Sequence, residues 1–312
     1  YFFYGVLGGC GLGIGYISPV STLVKWFPDK RGMATGLAIM GFGFASAIWG
    51  PTIKILIEKI GIASTFISLG ATYFVIMFLS ALYLQKPEED YLPKRFKQKI
   101  KEGKKKLKVD LASLGVNEAV KTPRFYGLWI MLFINVTCGI AIIGVASPLL
   151  QEVIGISAIA AAAAVGFMGI FNGAARILWA SASDYLTRPV VYIIFFISQA
   201  LIFFYLPNVT EVVLFQVLLY FIMTCYGGGF ASIPAYIGDI FGTKELGAIH
   251  GYILTAWAAA GLVGPLIISM VKDATGSYSQ TLYVFAGFFV VALIVSIMML
   301  VNIKKIQKEK IS

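Results

Sequence analysis

The sequence predicts an all-α polytopic membrane protein, and three observations support this fold class. Of the 312 residues, 59% are hydrophobic and only 13% are charged, whereas soluble domains carry roughly 25% charged residues. Apolar runs of about 20 residues, the length that a membrane-spanning helix needs, recur along the chain. Almost every Lys, Arg, Asp and Glu lies between these runs. A surface so poor in charge cannot face water on all sides, so lipid must be its main solvent.

Nine apolar runs have the length of a membrane-spanning helix. They are Tyr1–Val24, Met33–Ile53, Ser64–Leu84, Phe125–Leu150, Ile156–Ser181, Pro189–Leu206, Val212–Ile237, Ala248–Val271 and Thr281–Val301. Tyr1 already lies inside the first run, and no initiator Met or signal-peptide pattern precedes it. We therefore expect that helices preceding Tyr1 are missing from this chain.

The basic residues predict how the helices are oriented. Twelve of them lie between Lys86 and Arg124, and others lie in the short loop Lys25–Arg31. The C-terminal tail adds Lys304, Lys305, Lys308 and Lys310. If the spans alternate in direction, all three groups lie on one side, which the positive-inside rule makes cytoplasmic. The Lys86–Arg124 segment either sets the topology alone or also binds anionic lipid.

The same basic segment divides the chain into two parts that share an internal repeat. Three spans lie in residues 1–85 and six in residues 125–312, with the loop 86–124 between them. Residues 15–51 and 229–265 each read as a helix, a short polar loop and a second helix that ends in Gly-Pro. Gly15 matches Gly229, and Gly50-Pro51 matches Gly264-Pro265, at one offset. A parallel repeat of this kind predicts two related halves, of six helices each in a twelve-helix protein.

Four stretches carry a resemblance to a known family: LGGCGLGIGYISPV, KWFPDKRGMATGLAIMGFGF, FNGAARILWASASD and TAWAAAGLVGP. Through them the chain resembles the major facilitator superfamily, and within it the oxalate/formate antiporters and their monocarboxylate-transporter-like relatives. The resemblance implies the major facilitator fold of two six-helix halves, with the first three helices missing from this chain. It also implies secondary transport of small organic carboxylates by alternating access.

Arg176 is the one basic residue placed well inside a predicted span. A charge at membrane depth costs at least ~2.5–3.5 kcal/mol, so such residues usually face a cavity or a substrate path. The planar guanidinium suits a carboxylate. Arg176 could instead extend to the interface, or pair with Asp184 about 12 Å farther along the helix. In the oxalate/formate antiporters an arginine in helix eight binds substrate carboxylate, and the resemblance implies that role for Arg176.

The resemblance also points to a difference in charge. It implies that oxalate carriers use a second cation, a lysine in helix eleven. The corresponding run here, Ala248–Val271, contains neither Lys nor Arg. One fixed cation suits a monoanion such as formate, pyruvate or lactate, whereas two suit a dianion. The alternative is an oxalate/formate-type dicarboxylate exchanger, because the missing helices could supply the second cation. His250, the only histidine, is interpreted as a packing or loop residue rather than a coupling group.

Other residues within the spans are candidates for a cavity lining, because aromatic walls with a few polar groups are typical of small-ligand sites. They are Asn135, Asn172, Tyr16, Tyr226 and Trp257. Asn172 lies one turn before Arg176, so the two share a helix face. A second set is predicted to bend the helices or to latch them together. It comprises Gly11, Gly13, Gly15, Gly50, Pro51, Gly264, Pro265, Asp29, Arg31, Asp184 and Arg188. Tight packing and solvated loops are the alternatives for both sets.

Other classes of function have less support in the sequence. Cys10, Cys138 and Cys225 lack metal or redox spacing and fit small buried residues, and no nucleophile–His–acid set indicates an enzyme. No cofactor or metal is expected, and the net charge of +10 lies in loops rather than on a nucleic-acid-binding face. A non-transporting membrane receptor or sensor is the alternative. We expect a monomer in the plasma membrane of a prokaryotic cell. Its candidate partners are a small organic anion, a coupling proton or counter-anion, and membrane lipid.

Overall fold

The computed structural model describes residues 2–88, 91–103 and 110–310, apart from the side chains at positions 46 and 47. Within these ranges the chain forms helices and no strand, so the all-α prediction is confirmed. The helices are α1 (Gly8–Trp26), α2 (Arg31–Tyr83), α3 (Lys94–Lys101), α4 (Val116–Ala119), α5 (Pro123–Ile154), α6 (Ala158–Leu186), α7 (Arg188–Tyr205), α8 (Val212–Phe241), α9 (Leu246–Ile253), α10 (Thr255–Thr275) and α11 (Ser279–Glu309). A π-helical turn, Phe2–Leu7, leads into α1, and a 3-10 turn, Leu206–Asn208, follows α7.

Eight helical segments of the described chain are long and apolar enough to cross a membrane, so the protein is an integral membrane protein. The number is one lower than predicted because two predicted spans both lie in α2. Gly61 interrupts α2 with φ 78° and ψ 170°, a conformation that favours glycine. Trp49 and Tyr73, equally far from Gly61 on either side, have ring centroids 5.4 Å apart. Helix α2 therefore folds back on itself, and we call its two arms α2a (31–60) and α2b (62–83).

Capping residues separate the helices that carry the candidate site. Thr122 precedes α5, and its hydroxyl accepts a hydrogen bond from the Phe125 amide at 3.4 Å. Ser157 does the same for α6 through the Ala160 amide at 3.3 Å. These side chains satisfy amides that have no partner within their own helix. The connection between the two helices turns at Gly155, which has a left-handed φ of 66°. Local sequence therefore holds α5 and α6 as separate helices.

Helix α8 lies among several neighbours and is buried along most of its length. Its three consecutive glycines, Gly227–Gly229, each lie against a different side chain. The first faces Asn172 and the second Trp179, both on α6, while the third faces Asn135 on α5. Small residues allow this close approach of helices, which is a main source of packing energy in lipid.

Glycines also bring the part of the chain before residue 86 onto the part after residue 110. A Cβ on Gly36 would lie 2.5 Å from the Arg176 carbonyl oxygen, and a Cβ on Gly43 would overlap the Gly173 backbone. Gly32 meets the Ala180 carbonyl in the same way. Helix α2a therefore packs directly on α6, backbone against backbone.

The glycines of α1 pack less tightly than the sequence suggested. A Cβ on Gly11 or Gly13 would meet no atom within 4 Å among the described residues, and one on Gly15 would lie 3.1 Å from the Met77 methyl carbon. Gly11 and Gly15 instead line a cavity of about 410 Å³ between α1 and α2. Among the described residues, Gly11 and Gly13 therefore bring no helix close to α1, and their role in bending or packing stays a prediction. Cys10, in the same helix, is exposed rather than buried, whereas Cys138 and Cys225 are buried as expected.

The described parts of the three basic groups lie at one end of the molecule. Trp26, at the end of α1, donates from its indole nitrogen to the Gln85 carbonyl at 2.8 Å. Lys310, at the end of α11, donates to the Leu111 carbonyl at 2.6 Å. Because Arg31 and its ion pairs also lie here, we call this the ion-pair end. The opposite end carries Lys272, which pairs with Glu152.

Candidate functional site

Arg176 is buried in α6 and forms no ion pair with any residue that the structure describes. The residue as a whole is only 5% exposed. Nε donates to Asn172 Oδ1 at 3.3 Å, and one terminal nitrogen donates to the Ile39 carbonyl at 3.3 Å. A guanidinium carries five N–H donors, so these two bonds leave donor capacity unused. Arg31 and Arg188, also buried, both form ion pairs. A buried cation without an anion is costly, so Arg176 is a candidate site for binding one.

Neither alternative for Arg176, extension to the interface or pairing with Asp184, is seen among the described residues. Its guanidinium bonds to Ile39 inside the helix packing rather than extending to an interface. Asp184, proposed as a structural partner, binds Arg188 and the amides of Gly32 and Met33. No bond joins Asp184 to Arg176 among the described residues.

An aromatic cluster adjoins Arg176. Its Cζ lies 5.4 Å from the centroid of the Phe230 ring, a cation–π distance. Phe230 is 5.9 Å from Tyr16 and 5.3 Å from Trp257, centroid to centroid. Tyr16 comes from α1 and Trp257 from α10, so the cluster joins helices from both parts of the chain. The Tyr16 hydroxyl is buried without a hydrogen-bond partner among the described residues. The structure thus brings together three candidates, Arg176, Tyr16 and Trp257, and adds Phe230, which the sequence reasoning missed.

Three other candidates divide between this site and the surrounding packing. Asn172 holds Arg176 in place, as the shared helix face suggested. The Tyr226 ring packs against Gly139 of α5. Asn135 is engaged elsewhere, because its amide nitrogen donates to the Tyr226 carbonyl at 3.2 Å and its oxygen accepts from Gln199 at 3.3 Å. Asn135 therefore orients α5 against α8 in this structure.

A network of ion pairs joins the two parts of the chain at the ion-pair end. Arg31, at the start of α2a, lies 2.6 Å from an Asp110 oxygen and 3.1 Å from an Asp239 oxygen. Arg188, at the start of α7, lies 3.1 Å from the other Asp239 oxygen and also binds Asp184. Asp239 is thus shared between two arginines.

Sequence reasoning identified some members of this network and missed others. Arg31, Asp184 and Arg188 were candidates, but Asp184 and Arg188 lie in helix ends rather than in an open loop. Asp239 and Asp110 were missed. Asp239 lies two residues beyond the predicted end of a span, and its position in a helix of the internal repeat was the available signal. Asp29 was a candidate too, yet it forms no ion pair within the described chain.

The two Gly-Pro pairs of the repeat differ in their surroundings. Gly264 meets the Thr137 carbonyl oxygen, which would lie 2.7 Å from an added Cβ, whereas a Cβ on Gly50 would meet nothing within 4 Å in the described chain. Pro51 and Pro265 both lie inside helices, where a proline removes a backbone hydrogen bond. Gly264 is therefore a packing residue of α10 against α5, and Gly50 has open space.

The family can be stated from a comparison with known protein families. The model of the Major Facilitator Superfamily matches residues 1–265. The chain belongs to the Major Facilitator Superfamily.

Individual superfamily members give the range of similarity. An oxalate:formate antiporter of Oxalobacter formigenes is 26% identical over 260 residues, covering 83% of this chain and 59% of that protein. Monocarboxylate transporter 12 of Xenopus laevis is 26% identical over 308 residues, covering 92% of this chain and 65% of that protein. The chain thus spans about three fifths of the length of the curated relatives it matches.

A solved superfamily structure confirms the fold. The crystal structure of the transporter FucP in the outward conformation aligns with a TM-score of 0.61 at 15% identity. The alignment covers 90% of this chain and 71% of FucP. This likeness establishes the major facilitator architecture of the helices that hold Arg176 and the ion-pair network.

Proposed function

We propose that this chain is part of a secondary transporter that carries small organic monocarboxylates by alternating access. The observation that carries the proposal is Arg176, buried without an anion next to Tyr16, Phe230 and Trp257. A carboxylate bound there would neutralise the guanidinium through paired charge-assisted hydrogen bonds. The aromatic rings would then cover the C–H of formate or the methyl group of pyruvate or lactate.

Two relatives support a carboxylate as the substrate. One is named as an oxalate:formate antiporter and another as a monocarboxylate transporter. Because the described chain offers one unpaired buried cation at the site, we favour a monoanion over a dianion such as oxalate. The site therefore needs either a counter-anion in exchange or a coupling ion to complete the cycle.

The ion-pair network is proposed to latch one conformation of the transport cycle. Arg31 precedes residue 86, whereas Asp110, Asp184, Arg188 and Asp239 follow it, so separating the two parts of the chain breaks their shared bonds. The glycines of α2a allow closure of the same end by direct backbone contact. Closing here while the other end opens is the motion that alternating access requires.

Uptake by the full-length protein in proteoliposomes tests the proposal. We expect saturable uptake of labelled formate, pyruvate or lactate, with weaker competition by oxalate. Arg176→Lys should lose most uptake because the planar fork is gone, and Arg176→Gln should lose more. Arg124→Gln is the matched control, since Arg124 also lies in a membrane helix but binds Asn302 away from the site.

The other outcomes separate the alternatives. Stronger competition by oxalate than by formate would favour the dicarboxylate exchanger. Binding without uptake would favour a receptor or sensor. Normal uptake by Arg176→Gln would remove the carboxylate site from this position.

A further inference from the structure

His250 is the only histidine of the chain and is almost completely enclosed. It lies on α9, is 1% exposed, and neither Nδ1 nor Nε2 has a hydrogen-bond partner within the described chain. A buried polar group without a partner costs free energy, so such groups are rare in native structures. Carboxylate binding at Arg176 does not explain the unpartnered nitrogens of His250.

The position of His250 is a contact between the two parts of the chain. On its own helix, Gly247 and Gly251 flank it and lie against Ile17 and Ser21 of α1. The His250 ring centroid is 5.6 Å from that of Tyr16, also on α1. Closure of the ion-pair end therefore seals the imidazole between α9 and α1.

The charged surroundings of His250 offer no anion. From α1, Tyr16 faces it, and its hydroxyl is itself unpartnered. No titratable side chain of α4, α5, α8 or α10 forms a hydrogen bond or an ion pair with it among the described residues. Of the charged residues just before α9, Lys244 is exposed and Glu245 binds the Val116 amide at 2.7 Å. Arg176, on the far side of the aromatic cluster, is positive.

These surroundings accept only the neutral ring. An imidazolium would place two N–H donors and a full charge in an apolar contact without an acceptor, beside an arginine already lacking an anion. When α1 and α9 separate, water reaches both nitrogens, and an exposed histidine titrates near 6.5. Proton binding and closure therefore exclude each other.

We propose that His250 is a proton-binding site that becomes accessible when the ion-pair end opens, so that a proton taken up there opposes closure. The proton must leave before that end closes. Acid on this side then holds the carrier open, and the favoured direction of the cycle depends on the pH of that compartment. The inference uses the alternating access proposed above, but it does not depend on the substrate.

The linkage has a definite sign and size. The open state binds the proton and the closed state does not. The open-to-closed ratio should therefore rise about tenfold for each pH unit below about 6.5 and be constant well above it.

Distances between two spin labels on the full-length protein test the proposal without any substrate. The labels go on Phe27→Cys and Lys244→Cys, exposed positions at the ion-pair end on the two sides of the contact. The background lacks the native cysteines. We expect a longer-distance population that grows between pH 8 and pH 5. His250→Phe keeps an aromatic ring in an apolar contact and should abolish the growth, and His250→Gln is a second non-titrating variant.

Tyr252→Phe, at an exposed position on the same helix, is the matched control and should keep the pH response. The proposal is overturned if native protein shows no response, or if both His250 variants retain it. It is also overturned if Tyr252→Phe, rather than His250→Phe, removes the response. No carboxylate is present in this experiment, so its failure would not affect the uptake test of Arg176. Failure of that uptake test would likewise not affect this experiment.

Discussion

The Asp184 carboxylate, in the last turn of α6, accepts a hydrogen bond from the Gly32 amide at 2.9 Å. Its second oxygen accepts from the Met33 amide at 3.0 Å. These amides begin α2a and have no partner within their own helix. One side chain therefore caps a helix that belongs to the other part of the chain, and a cap of this kind exists only while the two parts touch.

Removing this cap should weaken closure of the ion-pair end. Asp184→Ala loses a cap worth about 0.5–2 kcal/mol and also leaves Arg188 with one partner fewer. Alkylation of a cysteine placed at Ser21, between α1 and α9, measures the opening. A loss of 1–2 kcal/mol should speed the labelling about 5- to 30-fold. Asp273→Ala at the opposite end is the control and should leave the rate unchanged. A normal rate in Asp184→Ala would show that the cap does not contribute to closure.

A side chain at Gly43 should disturb the packing of α2a on α6. Gly43→Val would force the helices apart at Gly173, and overpacking of this kind costs about 1–3 kcal/mol. We expect lower thermal stability and lower uptake. Gly50→Val, on the same arm but in open space, should be tolerated. Equal effects of the two changes would contradict the packing role.

A second cation beside Arg176 should change the charge of the preferred substrate. Trp257 is the better position, because it is half-buried in the aromatic cluster, whereas Ala260 is fully buried in the core. Trp257→Lys should raise the affinity for oxalate relative to formate by pairing the second carboxylate. Competition binding with the two anions measures the ratio, and Trp257→Phe controls for loss of the indole. An unchanged ratio would count against a site near Trp257.

The ion-pair end should face the cytoplasm. Cysteines at the exposed positions Lys97 and Lys308 should resist a membrane-impermeant reagent in intact cells, while one at Ala274, at the opposite end, should react. The reason is the concentration of basic residues at the first end. Reversed labelling would invert the orientation.

Much of the fold could be predicted because hydrophobic length and charge position act locally. Where the structure describes them, the nine predicted spans lie on helices, and the turn at Gly61 falls between the predicted spans Met33–Ile53 and Ser64–Leu84, although nothing in the sequence singled out Gly61 itself. Arg176 could be identified from the sequence alone, because placing a charged side chain inside a membrane span costs free energy. Its neighbour Phe230 could not, because an aromatic residue in a membrane helix carries no signal of which helix it faces.

Pairwise contacts between distant segments were the main limit. Nothing in the sequence indicated that Gly43 meets Gly173, or that Gly11 and Gly13 meet nothing close in the described chain. Asn135 and Asn172 looked alike as polar residues in spans, yet one is engaged by Tyr226 and Gln199 and the other holds Arg176. Which role each takes depends on rotation of the helices about their axes, and the spacing of apolar residues in lipid fixes that rotation poorly.

Because Asp239 is shared between two arginines, separating the two parts of the chain removes this ion pair from Arg31 but leaves Asp239 paired with Arg188. Asp239 and Arg188 both lie after residue 110, so their bond survives when the two parts of the chain separate. Asp239 then keeps an arginine partner, and only Arg31 gives up that contact. On reclosure in the proposed cycle, Arg31 meets an acceptor that Arg188 already holds in orientation, while the Asp184 cap on Gly32 and Met33 re-forms beside it. A latch of this kind favours repeated engagement over a permanent lock.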